Sequence, residues 1–252
     1  MKRIISISIN NYPDSENNLH GCLNDEEDWK TIFTTKFGFD EHESISIQDD
    51  QCTRRNILDA LKLGVQKSVA GDILVIQYSG HGCQVRDRND DEPVRKDEAL
   101  YVYDGPLIDD ELGEVLSDLK PNVTCVVILD SCFSGTATRG LHLRNRCVQI
   151  EDVRGRRLRR RFLKNIPGVE MKWIVLSGCS EMQTSADAMI NDRYNGAFTF
   201  FALLALKDYN YVCTYNQWLK HLRKYLPSKD FEQKPTLEGP ESLLNKQIFT
   251  ES

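Results

Sequence analysis

Short runs of aliphatic, mostly β-branched residues recur along the chain at residues 2–10, 72–77, 124–129 and 172–176, each bounded by polar residues, Gly, Pro or Asp. Runs of this length and kind mark strands covered on both faces, as in a parallel sheet. Shorter runs at 44–48, 99–103 and 245–249 predict further strands. Between them the period changes. Residues 21–37 carry Leu23, Trp29, Ile32 and Phe33 as an approximate apolar stripe, and residues 53–68 place Ile57, Leu58, Leu61 and Val65 at helical spacing behind Thr53, a suitable N-cap. Helices are likewise predicted at 109–119, 196–207 and 214–226. Strands alternating with helices predict an α/β fold, a three-layer sandwich with a mostly parallel central sheet. After Gly140 the periodicity disappears until Met171, an unusual length of patternless chain for a compact domain.

Two of the buried strands lead into peptides of small and reactive residues, Tyr78-Ser79-Gly80-His81-Gly82 and Asp130-Ser131-Cys132-Phe133-Ser134-Gly135. In open α/β sheets ligands sit in the crevice beyond the carboxyl ends of the strands. A free thiol has a pKa of about 8.5 and is a poor nucleophile at neutral pH, and an adjacent imidazole remedies that. The spacing therefore points to a Cys132–His81 catalytic dyad. The alternatives at this level are a core cysteine at a strand end and a turn histidine between glycines.

Composition sets the limits. With 252 residues, 40% hydrophobic and 28% charged, the chain suits one soluble domain with a sizeable core. No apolar stretch approaches 18 residues, and the amino-terminal run alternates as a strand does, with no cleavage site after it, so a cytoplasmic protein without membrane contact is expected. Eight cysteines without CxxC spacing suit reduced thiols. The net charge of −6 hides an asymmetry: residues 139–164 hold ten basic residues against Glu151 and Asp152.

Taken together, these peptides resemble the metacaspases and their bacterial relatives, the orthocaspases. The matching blocks span nearly the whole chain: Gly21-Cys22-Leu23-Asn24-Asp25, Ser79-Gly80-His81-Gly82, Asp97-Glu98, Ile108-Asp109-Asp110-Glu111-Leu112, the Cys132 peptide, Leu176-Ser177-Gly178-Cys179, Gln183-Thr184-Ser185-Ala186-Asp187-Ala188, Gly196-Ala197-Phe198-Thr199 and Gln233-Lys234-Pro235. The resemblance implies a caspase–haemoglobinase fold, with a large-subunit-like part (1–138), a basic linker (139–170) and a small-subunit-like part (171–252). It implies peptide hydrolysis through a thioester on Cys132, His81 as base and acid, and the backbone N–H groups of Gly82 and Cys132 as oxyanion donors.

It further implies a pocket for Arg or Lys before the cleaved bond, at the matching positions Cys22, Asp25, Ser79 and Asp130, since paired carboxylates hold a guanidinium and repel an acidic side chain. The plainer reading of the same residues is that Asp25 caps a helix and Asp130 binds nearby backbone. No cofactor is needed for the chemistry. Many members of the family need calcium, and the matching carboxylates are Asp97, Asp109 and Asp110, although Arg139 stands where the family has a fourth ligand. A solvated acidic loop at 87–98 and a weak zinc pair, His81 with Cys83, are the competing readings. The linker arginines Arg154, Arg156, Arg157, Arg159, Arg160 and Arg161 are the expected processing sites, cut by the protein itself or by an upstream protease, in a region where cleavage after any arginine from 144 to 161 would serve. Expected partners are protein or peptide substrates with Arg or Lys before the cut bond, with the protein a monomer and a bacterial defence or cell-death role implied by resemblance. A silent basic-peptide scaffold, and nucleic-acid binding through the basic insert, are the alternatives. The strand near 173–176 is expected to pair with extended substrate.

Overall fold

The computed structural model of the chain describes residues 1–86, 96–132, 143–148, 171–178 and 186–250. Among these the elements run β1 (Lys2–Ser8), α1 (Cys22–Phe37), β2 (Ile45–Gln48), α2 (Arg54–Lys67), β3 (Ile73–Ser79), β4 (His81–Arg86), β5 (Lys96–Val102), β6 (Gly105–Ile108), α3 (Asp109–Ser117), β7 (Thr124–Asp130), β8 (Leu143–Asn145), β9 (Ile174–Ser177), β10 (Ala186–Ile190), β11 (Arg193–Gly196), α4 (Ala197–Asp208), α5 (Tyr215–Leu222), β12 (Thr236–Glu238) and α6 (Glu241–Leu244).

Six strands form the central sheet in the order β12-β9-β7-β3-β1-β2, and every pair but β12–β9 is parallel. Successive side chains along a strand point to opposite faces, so a sheet buried on both faces is apolar through the body of its strands. Leu74, Ile76, Cys125 and Val127 pack on one face with Ile57 and Leu61 of α2 and Leu112 and Leu116 of α3. Ile73, Val75, Val126 and Ile128 pack on the other with Trp29 and Phe33 of α1, Phe198 and Ala202 of α4, and Trp218 of α5. Each of these large side chains contributes roughly 1.5–3 kcal/mol by leaving water. The chain is an α/β three-layer sandwich with a mostly parallel centre.

Local signals set several boundaries. Thr53 caps α2, its hydroxyl accepting from Asn56 N–H at 3.3 Å. Gly38, left-handed at φ 69°, ends α1 and returns its N–H to Phe33 O. Register then brings the functional ends together: Ser8 pairs with Ser79, Ser79 with Asp130, and Leu129 with Ser177. The carboxyl ends of β1, β3, β7 and β9 therefore finish side by side.

Two expectations fail. Residues 245–249 form no strand: Ile248 and Phe249 are buried as irregular chain behind α6, with one isolated bridge between Gln247 and Thr214. The stretch after Gly140 is not patternless throughout, because β8 lies in a small sheet of order β11-β10-β8. A third sheet, β4-β5-β6, carries His81 at its start.

Candidate active site

His81 follows Gly80 directly beyond β3, and that glycine is a steric requirement. A Cβ there would lie 2.6 Å from Tyr78 Oη and 2.9 Å from Tyr12 Oη. Those two hydroxyls clamp the His81 backbone: its N–H donates to Tyr12 Oη at 2.8 Å, and Tyr78 Oη donates to its carbonyl at 2.7 Å. The ring is buried, and Nε2 lies 2.7 Å from Asn17 O. A carbonyl only accepts, so Nε2 carries the proton and Nδ1 is the basic nitrogen; Nδ1 is buried and has no hydrogen-bond partner among the described residues. Burial pushes the imidazole down to about 4, while the carbonyls of Asn17 and Arg146 beside the ring pull the other way. The ring is neutral at neutral pH.

Cys132 lies fully buried two residues past the end of β7. Its N–H and that of Gly82 donate to one acceptor, the carbonyl oxygen of Arg146, at 3.1 and 3.0 Å. The Arg146 side chain passes into the interior with none of its surface exposed. Its Nη1 lies 2.8 Å from Asp25 Oδ2 and 3.3 Å from Asp130 Oδ1, and its Nη2 lies 3.1 Å from Asp187 Oδ1. Nη1 also donates to the Asp130 carbonyl at 3.2 Å.

Each of the three carboxylates is held by further donors. Asp25 Oδ1 accepts from Gly196 N–H at 2.8 Å and Asn195 Nδ2 at 3.2 Å. Asp130 Oδ2 accepts from Thr199 N–H at 2.9 Å and Thr199 Oγ1 at 2.8 Å. Asp187 accepts from Gly21 N–H at 2.9 Å and His20 N–H at 2.8 Å. Three buried carboxylates facing one guanidinium still repel one another. Burial raises the Asp25 carboxyl well above the usual range, the guanidinium opposes that shift, and Asp130 adds to it.

Of the residues singled out in the sequence, Asp25 and Asp130 meet at the guanidinium. Cys22 is buried at the start of α1, where burial raises its thiol and the charges of Arg146, Asp187, Asp25 and Asp130 all act on it. Ser79 is buried opposite Asp130, and its hydroxyl accepts from Gln77 Nε2 at 2.8 Å rather than reaching the arginine. Asp25 does not cap α1: Gly21 is the N-cap, without a side-chain bond, and Asp25 reaches across to the β11–α4 junction. The 173–176 segment is not a substrate edge, since β9 has β7 on one side and β12 on the other; the extended segment β8 pairs instead with β10. Asp109 and Asp110 open α3, but the Asp97 side chain, Arg139 and the run from Arg154 to Arg161 lie outside the described residues. Among the described residues no group of three His, Cys, Asp or Glu side chains is arranged to hold a metal ion, and none includes His81 with Cys83. The sequence reading did not single out Tyr12 or Asn17; it quoted Asp187 within a matching block without giving it a role, and it held Arg146 only as one arginine in the 144–161 range open to processing.

A caspase-like α/β sandwich, with Cys and His at neighbouring strand ends and an acidic pocket beside them, is the class this architecture defines. A family model for the metacaspase peptidase C14 domain matches residues 2–139. The chain is 28% identical over 290 residues to Metacaspase-1 of Saccharomyces cerevisiae, covering 94% of this chain and 66% of the yeast protein. It is 30% identical over 287 residues to Metacaspase-1 of Ajellomyces capsulatus, covering 94% of this chain and 79% of that one. A crystal structure of a Geobacter sulfurreducens protein superposes with a TM-score of 0.76 at 25% identity, over 100% of this chain and 99% of that one. This chain belongs to the metacaspase family. It spans about two thirds of the length of the yeast relative. No helix among the described residues is long and apolar enough to cross a membrane.

Proposed function

We propose that the protein is a cysteine endopeptidase that cleaves after Arg, and after Lys less well. The observation that carries this reading is a single residue bound at two places: the Arg146 side chain lies among Asp25, Asp130 and Asp187 while its carbonyl oxygen accepts from Gly82 and Cys132 N–H. An arginyl substrate bound the same way has its reacting carbonyl beside the Cys132 thiol and its oxygen already on two donors. Single donors to such an oxygen are worth about 3 kcal/mol as negative charge develops on it.

In this mechanism His81 Nδ1 takes the thiol proton and Cys132 Sγ attacks the carbonyl carbon. Collapse expels the amine, which takes the proton back from His81, and leaves a thioester. Water, deprotonated by His81, then releases the acid and restores the thiol. The Asn17 carbonyl holds the ring in the tautomer this requires, and Cys22 lines the pocket as a neutral thiol. Calcium enters by resemblance alone: Asp97, Asp109 and Asp110 would hold it, supplying charge that orders nearby loops.

The test is hydrolysis of paired fluorogenic peptides ending in Arg, Lys or Asp, by wild type and Cys132→Ala, with calcium and with chelator. Turnover of Arg and Lys peptides that vanishes in Cys132→Ala supports the reading, and the chelator arm reports on calcium. Silence toward every peptide, even after the 139–170 segment has been cut with another protease, would leave a basic-peptide-binding scaffold in its place.

A further inference from the structure

The loop that holds His81 is itself held from the edge of the sheet. Residues 10–20 leave β1 and return to α1 with their ends together: Leu19 N–H donates to Asn10 O at 2.9 Å, and Asn10 Nδ2 donates to His20 O at 3.2 Å. A compact loop closed in this way is an Ω-loop. Inside it Tyr12 N–H donates to Asn18 Oδ1 at 2.8 Å, and a single 3-10 turn, Ser15–Asn17, is capped by the Asp14 side chain. These bonds fix how Tyr12 and Asn17, the two loop residues that reach His81, sit relative to each other. They do not fix where the loop stands as a body.

Two anchors do. At one foot the N–H groups of His20 and Gly21 donate to Asp187, and Cys22 N–H donates to Asn10 Oδ1 at 2.9 Å. At the other foot the anchor is Asp49. This residue directly follows β2, the edge strand, whereas His81 lies beyond β3, on the opposite side of β1. Asp49 Oδ1 accepts from the N–H groups of Asn10 and Asn11 at 2.8 and 2.9 Å, and Oδ2 accepts from Asn11 Nδ2 at 2.8 Å. Bonds to a carboxylate are charge-assisted and stronger than those to a neutral acceptor. The backbone of Asp49 is left-handed, at φ 47°, a region that few residues other than Gly, Asn and Asp enter. A residue that merely ended β2 would need neither that conformation nor two successive donors from the neighbouring loop.

Resting on the endopeptidase reading above, we infer that Asp49 is a positioning residue for the reaction. Through Asn10 and Asn11 it sets where the loop stands over β3, and so keeps Asn17 O on His81 Nε2 and Tyr12 Oη on the His81 N–H. It touches neither substrate nor the reacting atoms. Its effect is on the base: when the loop shifts, Nε2 loses its acceptor, the ring exchanges between tautomers, and Nδ1 is no longer held as the basic nitrogen. A misplacement of about 1 Å can cost about a hundredfold in rate. The carboxylates of the Arg pocket are held by other donors, so the loss falls on kcat rather than on KM.

The experiment compares Asp49→Asn, Asp49→Gly and Asp49→Ala with wild type and with Asn11→Ala. It reads Arg-peptide kinetics, circular dichroism and the nitrogen NMR signals of labelled histidine, with His81 assigned through His81→Gln. Glycine adopts the left-handed backbone but lacks the carboxylate, whereas asparagine adopts it and keeps one oxygen for both N–H groups. The glycine and alanine variants should lose about a hundredfold in kcat with KM little changed, and their His81 signal should pass from the single Nε2-protonated form to a mixture. Asp49→Asn and Asn11→Ala should stay close to wild type in both readouts. A glycine variant with undiminished kcat would overturn the inference, as would an asparagine variant as impaired as the glycine one, or a fall in kcat with the tautomer unmoved. Loss of the folded spectrum in both the glycine and alanine variants would also overturn it, making Asp49 a requirement of folding alone. The tautomer is read without substrate, so a wild type that hydrolyses no peptide would overturn the endopeptidase reading while the NMR comparison still decides whether Asp49 holds the His81 ring.

Discussion

The carbonyl oxygen of Asn17 lies 2.7 Å from Nε2 of His81 and determines which nitrogen of that ring is basic. Asn17 stands in the Asn, Asp and Pro-rich loop between β1 and α1, far from either reactive peptide in sequence. The Tyr12 and Tyr78 hydroxyls fix the backbone of the same histidine, so the loop supplies a backbone clamp as well as the tautomer. The cost is a buried imidazole whose Nδ1 has no partner among the described residues, which suits a nitrogen that is used.

That burial predicts an acid sensitivity. The folded ring titrates near 4, and an unfolded chain takes up the same proton near 6.5. Between those values the unfolded state binds more protons, so the His81 contribution to stability falls as pH drops from about 6.5 to about 4, by about 3 kcal/mol in all. Asp25 acts oppositely: its raised carboxyl holds a proton in the folded state that the unfolded chain has lost, so its contribution improves as pH drops. Urea unfolding of Cys132→Ala and of Cys132→Ala/His81→Gln at pH 7 and pH 4.5 separates the two. The His81→Gln background should lose less stability on acidification than its parent; equal losses would show that the imidazole titrates normally in the fold.

Asp187 predicts a discrimination between Arg and Lys. Asp25 and Asp130 face Nη1, whereas Asp187 faces Nη2, the second arm of the fork that an ammonium lacks. Asp187→Asn removes a charge-assisted bond of about 1.5–3 kcal/mol, a factor of roughly ten to a hundred. Under the proposed function, kcat/KM for Arg peptides should fall by that factor, mostly through KM, while Lys peptides change less. The comparison of both substrates against both proteins is the measurement. Equal losses for Arg and Lys would mean that Asp187 only supports the fold through Gly21 and His20.

Much of this was legible because burial on both faces writes itself into a strand as an uninterrupted β-branched run. β3 and β7 stood out for that reason, and the reactive peptides at their ends followed. The small sheets wrote weaker patterns. β10 and β11 are five and four residues long, partly buried and mixed in polarity, so period-two alternation has no room to develop. Their one local cue was the Asn191-Asp192 turn, both residues at positive φ, which joins them as a tight hairpin. Arg146 was hidden differently. Among ten basic residues between 139 and 164 nothing local distinguishes the one that reaches the acids, because the choice is made by its distance from β10 and Gly82 rather than by its neighbours in sequence. At 245–249 the error ran the other way: Ile248 and Phe249 are apolar because they pack against α1 and α5, and burial of irregular chain looks like a strand when only the apolar residues are read.

Gly196 offers a test of how tightly the pocket is drawn. A Cβ at this position would lie 2.0 Å from Asp130 Oδ2 and 2.7 Å from Arg146 Nη1, and the Gly196 N–H itself holds Asp25 at 2.8 Å. No methyl group fits beside a carboxylate at that separation, so Gly196→Ala must turn Asp130 away from Thr199, shift the β11–α4 junction away from Asp25, or both. Either movement opens the carboxylate array that the proposed substrate needs. Arg-peptide hydrolysis should fall by a factor of about a hundred, the equivalent of about 2.7 kcal/mol, even where the circular dichroism spectrum shows the fold retained. Because the same movement loosens the grip on Arg146, the melting temperature should fall as well. Serine at the same place meets the same clash and should behave alike. Alanine and serine variants with undiminished hydrolysis would mean that the substrate arginine is held elsewhere than among Asp25, Asp130 and Asp187.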